Sequence, residues 1–152
     1  MVEREVAAME RWMRSAPLFR ERPRPAQVLL GLVVPTVFGA VAGILLGVSA
    51  AAYWAIGVVA AIGGVLAGFE HADGWDGAYR GLVGGTLYGT GLLVAHAIAG
   101  TDAQVSLPGF APILVVFTAI IGVLLGALGG RIRGGAMQRR GLPAPPTRRR
   151  PA

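Results

Sequence analysis

From Pro25 through Phe69 no residue carries a charge, and from Gly81 through Gly130 the only formal charge is Asp102, with His96 the one imidazole. Each run is too long for one membrane crossing and fits two, since a bilayer core takes about 20 apolar residues as helix. The pattern predicts spans at about Val28 to Val48, Tyr53 to Phe69, Gly81 to Ala99 and Phe110 to Gly129. This is an all-α integral membrane fold with four transmembrane helices arranged as two helical hairpins. Only length forces a turn near "SAAAYW", because a single straight helix from Val28 to Phe69 would run about 63 Å, twice the bilayer core. Tyr53 and Trp54 beside one turn, and Trp75 and Tyr79 beside the next, stand where interfacial aromatics are expected.

The flanks differ in pattern. Val2, Val6, Met9 and Met13 follow i, i+4, i+7, i+11 spacing among Glu3, Arg4, Glu10, Arg11 and Arg14, which predicts a short amphipathic helix lying in the interface. Pro17, Pro23 and Pro25 then stiffen the approach to the first span. The chain divides into residues 1–25, an interfacial segment that lacks the early apolar core of a signal peptide; residues 26–130, the four-helix domain; and residues 131–152, a basic tail rich in proline and arginine, expected to be disordered.

Composition agrees with membrane insertion, because 54% of the 152 residues are hydrophobic and 14% are charged. Cysteine is absent, which removes disulfides, thiolate metal sites and cysteine nucleophiles. All fourteen basic residues are arginine. Six precede the first span, Arg80 lies between the second and third, seven follow the fourth, and the other two loops have none. By the positive-inside rule both termini and the middle loop face the cytoplasm, in the inner (plasma) membrane of the cell. The arginine-rich ends suit anionic lipids. They form no basic surface with interleaved aromatics, so nucleic acid is not an expected partner.

Two alignments within the chain point to duplication. "GLVVPTVFG" (Gly31 to Gly39) resembles "GLVGGTLYG" (Gly81 to Gly89), and "AIGGVLAG" (Ala61 to Gly68) resembles "AIIGVLLG" (Ala119 to Gly126). The repeats, about 28–69 and 81–129, each hold two spans and so share one orientation, a parallel repeat with an axis along the membrane normal. Glycines four apart recur in every span: Gly39, Gly43 and Gly47; Gly64 and Gly68; Gly81, Gly85 and Gly89; Gly122, Gly126 and Gly130. Each row offers a face on which another backbone can approach closely, the expected basis of helix packing here.

The chemistry that remains is concentrated in "GFEHADGWDGAYRG", Gly68 to Gly81. Asp73-Gly74 is a turn signal and Asp76 an N-cap for the third helix. Glu70 ends the second span, where a carboxylate opposes the helix dipole and needs a cation; Arg80, Arg131 and Arg133 are the ones at similar depth. Glu70, His71, Asp73 and Asp76 together could gather or ligate cations. His96, inside the third span, reads as a hydrogen-bonded contact between helices or as a proton-relay group. Neither a catalytic constellation nor a cofactor motif is present. The expectation is a non-enzymatic, glycine-packed subunit that assembles with itself or within a larger membrane complex. The alternative is a small channel or transporter subunit for protons or cations, using Glu70, His71, Asp73, Asp76, Arg80 or His96.

Overall fold

The computed structural model describes residues 18–71 and 73–138. A 3-10 turn, Phe19–Glu21, leads into α1 (Arg24–Val48), α2 (Ala50–Phe69), α3 (Gly74–Ala99) and α4 (Ile113–Gln138). All four helices are long and apolar enough to cross a membrane, and no strand occurs among the described residues. The chain is therefore read as a multi-pass membrane protein. The expected interfacial helix around Val2 to Met13, and the chain beyond Gln138, lie outside the described residues. α4 runs nine residues past Gly129, where its end was expected, and takes in Arg131 and Arg133.

Local chemistry sets the boundaries. Pro25 occupies the first turn of α1, where a missing N–H costs nothing. The turn between α1 and α2 is the single residue Ser49, in extended conformation, whose hydroxyl accepts from the Ala52 N–H and caps α2. Length therefore had an ally in the sequence, a serine N-cap. At the start of α3 the cap is Asp73, whose carboxylate accepts from the Asp76 N–H at 2.8 Å. Asp76 was expected in that role and instead sits in the first turn, because the helix begins at Gly74 and only the preceding side chain can reach back to the free N–H groups. Gly100, at φ 62°, ends α3 in the left-handed conformation that glycine adopts without strain.

One helix is not regular. Leu29–Val33 forms a π turn inside α1, with the Val34 N–H bonded to the Leu29 carbonyl. In that register the Leu30 carbonyl would wait for a donor at position 35, and Pro35 has none. A carbonyl is thus left without a partner in its own helix.

The core is small and lies at the end of the bundle away from the α2–α3 hinge. Ala42 and Leu46 of α1 and Leu92 of α3 are fully buried. Tyr53, Tyr88 and Leu114 pack around them, and Val105 and Leu107 cover them from the loop between α3 and α4. The Gln104 N–H, bonded to the Leu46 carbonyl at 2.9 Å, fastens that loop over the C-terminal end of α1.

Elsewhere the helices meet backbone to backbone. α3 packs on α4 along one side and on α1 along another, and α4 packs on α2. A Cβ placed on Gly81 would overlap the Gly122 carbonyl, and one on Gly122 the Gly81 carbonyl. Gly77 and Gly126 are related in the same reciprocal way. Between α1 and α3, Gly39 faces the Tyr88 carbonyl and Gly43 the Leu92 carbonyl. Between α2 and α4, Gly68 faces the Gly126 carbonyl. Not every glycine lies on such a seam: Gly47 abuts the Thr101 side chain of the loop, and Gly57 and Gly63 have nothing near them. α2 is the least enclosed helix, with Gly68 its only buried residue.

Candidate functional site

The chemistry gathers at the hinge end, around a residue that the hydropathy pattern does not single out. Phe19, in the 3-10 turn, lies across the mouth of the α1/α3 seam. Its backbone N–H donates to the Glu70 carbonyl at 3.1 Å, and its ring comes within van der Waals reach of Gly31. The ring also stacks on the His71 imidazole, with centroids 5.6 Å apart, and lies 5.5 Å from the Arg80 guanidinium carbon, a cation–π distance. The N-terminal approach is thereby tied to α1, to the hinge and to α3 by one side chain.

Around Phe19 the ionic groups are sorted into pairs. Glu70 accepts from Arg22 Nη2 at 2.6 Å. The cation was expected from Arg80, Arg131 or Arg133, and it comes instead from 48 residues upstream, because the 3-10 turn folds the chain back against the hinge. Asp76 pairs with Arg20 at 3.3 Å, with both side chains exposed. Arg80 donates instead to the Leu30 carbonyl, supplying the hydrogen bond that Pro35 cannot. Arg133, buried to 6% exposure, donates to the Phe69 carbonyl at 3.0 Å and lies over the Phe69 ring. That is a favourable position for a cation, the C-terminus of α2.

His71 is buried, and its Nδ1 lies 3.0 Å from the Ala67 carbonyl. A carbonyl can only accept, so Nδ1 carries a proton and the neutral ring is the Nδ1–H tautomer. Burial pushes the imidazole below its ordinary value of 6.5, as does Arg80 to a lesser degree, while the Ala67 carbonyl, Asp76 and Glu70 pull the other way. The sign follows directly: a folded-state value below the unfolded one means that the unfolded chain takes up the proton first. The stability that His71 contributes is complete above about pH 6.5 and falls as pH drops through that value. Thermal unfolding in detergent is expected to show a lower midpoint at pH 5.5 than at pH 7. In His71→Asn, whose amide can still donate to Ala67, that part of the pH dependence is expected to vanish. A variant that keeps the wild-type slope would remove His71 as its source.

The sequence-selected residues are therefore only partly brought together. Glu70, His71, Asp76 and Arg80 surround Phe19, while Asp73 caps α3. His96 stands about 24 Å further along α3, where its buried Nδ1 has no hydrogen-bond partner among the described residues. The expected bond between helices is not made at that atom. Among the described residues no three His, Asp or Glu side chains converge as they would on a metal ion. What the site does contain is an open groove of about 400 Å³ between the 3-10 turn, α1 and α3, with Arg20, Asp76 and Arg80 on its walls. Phe19, Arg22 and Pro35 were not legible as site residues. Pro35 was the one with a signal, a missing N–H in the middle of a span.

No protein-family model, curated protein or solved structure matches this chain.

Proposed function

We propose that this chain is a non-enzymatic inner-membrane protein that acts as a self-assembling or accessory subunit, with both termini and the α2–α3 hinge in the cytoplasm. The observation that carries the reading is the interior of the bundle. The seams between helices are closed by glycine against backbone carbonyl, and apart from His96 the ionic and imidazole groups near the bundle sit at its ends. A route for ions would need polar groups at intervals across the membrane. The arginine distribution supports the orientation. The sparse packing of α2, whose Gly57 and Gly63 are open, supports association through that helix, since small residues permit close approach in lipid.

Duplication of a hairpin belongs to the same proposal. It is supported by contacts between matched positions, because Gly68 meets Gly126, its partner in the sequence alignment, and Arg80 meets Leu30, the residue it aligns with. Such contacts suit two hairpins lying side by side at one depth.

His96 favours a second reading, proton handling, through its unpartnered Nδ1. Liposomes carrying wild type, Glu70→Gln or His96→Leu are expected to pass protons and divalent cations no faster than empty vesicles. Light scattering in detergent is expected to give a mass above one chain, alone or with a co-purifying protein, and reporters after Ala152 and at Asp73 to report cytoplasm. Robust wild-type flux, abolished by either substitution in a folded protein, would replace the subunit reading with the channel one.

A further inference from the structure

The groove beside Phe19 holds a guanidinium that enters no ion pair among the described residues. Three ionic side chains line it: Arg20, Asp76 and Arg80. Arg20 and Asp76 neutralise each other. Glu70, the next carboxylate, is taken by Arg22 at 2.6 Å. His71, also on the wall, holds its one proton against the Ala67 carbonyl and brings no negative charge. Arg80 is left over. Its guanidinium is half-buried, bonded to the Leu30 carbonyl and set over the Phe19 ring, and it enters no ion pair among the described residues. Its Nε is buried without a hydrogen-bond partner. A cation taken partly out of water, held by a carbonyl and a ring face and attracted by Glu70 only from beyond ion-pair distance, is costly to hold, and an anion at its open side would offset that cost.

The rest of the lining says what kind of anion. Away from Arg80 the wall turns apolar along Val28, Leu32 and Val83, with Tyr79 at the mouth. Val28 and Leu32 are 53% and 48% exposed and belong to a helix apolar enough to span a membrane. We propose that the groove binds an anionic phospholipid, with its phosphate on the Arg80 guanidinium and an acyl chain along Val28, Leu32 and Val83. The planar guanidinium suits phosphate oxygens, and the groove opens at the end of the spans, where headgroups lie. A volume of about 400 Å³ admits a headgroup and the start of a chain that continues along α1. A free phosphate would answer the charge but leave the apolar wall unused. The proposal stands whether or not the chain self-associates.

The test uses the full chain in detergent, with retained lipid counted by native mass spectrometry. Wild type is expected to keep phosphatidylglycerol over phosphatidylcholine by about fivefold, the worth of one arginine beside an anionic headgroup. Arg80→Gln is expected to bring that ratio close to one. Val28→Glu, at an exposed position near the start of α1, is expected to do the same by placing a like charge in the groove, and it keeps the test decisive if Arg80→Gln does not fold. Arg24→Gln, an exposed arginine outside the lining, is expected to keep the wild-type preference. Equal loss in Arg24→Gln and Arg80→Gln would mean diffuse attraction and overturn the site. So would equal retention of phosphatidylcholine by wild type. Displacement of the lipid by millimolar inorganic phosphate would make the groove a phosphate site and overturn the lipid assignment.

Discussion

Gly85→Leu is expected to lower the stability of the bundle by about 3 kcal/mol or more, while Gly57→Leu, the same change on another helix, leaves the bundle's own stability unchanged or slightly raised and acts only on assembly through α2. A Cβ on Gly85 would overlap the Thr118 carbonyl of α4, so the incoming side chain meets helix backbone, which has no rotamer to yield. The two helices must separate along their length. In lipid that separation recovers little, because hydrocarbon solvates the exposed faces as well as leucine does and only close dispersion contact held them together. Gly57 has nothing within 4 Å, and there a leucine gains helix propensity over glycine. Leu124→Ala, at a side chain 64% exposed, is expected to stay within about 0.5 kcal/mol. Thermal unfolding in detergent, read alongside oligomer size, measures all three. If Gly85 and Gly57 tolerate leucine equally, the backbone contact has no energetic weight and the glycines are merely compositional.

Gly85 was legible in the sequence because it belongs to a row spaced by four, and that spacing places residues on one helix face whatever surrounds them. The extent of the row was not legible. Gly77 extends the same spacing, but it lies in a stretch whose charges argued for a loop, and α3 in fact begins at Gly74. Gly91 faces the Thr36 carbonyl and Gly129 the Val65 carbonyl, yet both lie off the rows. α3 packs on α1, α2 and α4, and α4 packs on α2 and α3, and a single period describes only one face. Leu92 shows the same limit. It is fully buried, and nothing in the run "GLLVAHA" separates it from Leu93, because in a membrane protein the surface is as apolar as the core.

The hinge was legible as a place and not as a set of partners. Helix-end rules located the uncomfortable carboxylate at Glu70 and the turn at Asp73-Gly74, because those rules depend on neighbours in sequence. Partners were assigned by depth in the membrane, which can rank Arg80, Arg131 and Arg133 but cannot see a chain that returns. The 3-10 turn at Phe19–Glu21 returns it. Arg22 then reaches Glu70, and Arg80 is released to the Leu30 carbonyl that Pro35 strands. Two local facts, a proline inside a span and a proline-flanked approach to it, combine into one tertiary arrangement, and the combination is what a linear reading lacks.

Arg133→Met is expected to cost about 2 kcal/mol and to loosen the hinge before the rest of the bundle. The Arg133 Nη1 donates to the Phe69 carbonyl at 3.0 Å, one of the last carbonyls of α2, which has no partner within its own helix. Methionine keeps the length and apolar stem of the side chain while removing the donor, so the carbonyl is left buried and unsatisfied, at a penalty of about 1–3 kcal/mol. The cation over the Phe69 ring, 5.6 Å from its centroid, is lost as well. The loss falls at a point where α4 already lies against the hinge backbone, since Gly130 faces the Asp73 carbonyl and Gly129 the Phe69 N–H. Arg131→Met is the reference, an exposed arginine two residues away, and is expected to change stability by less than about 0.5 kcal/mol. Hydrogen exchange at Glu70, His71 and Gly74 separates a local effect from a global one. Faster exchange there, with the α3–α4 seam still protected, is the expected result for Arg133→Met. Equal melting temperatures and equal hinge exchange in the two variants would show that the Phe69 carbonyl finds another donor and that Arg133 does not hold the end of α2.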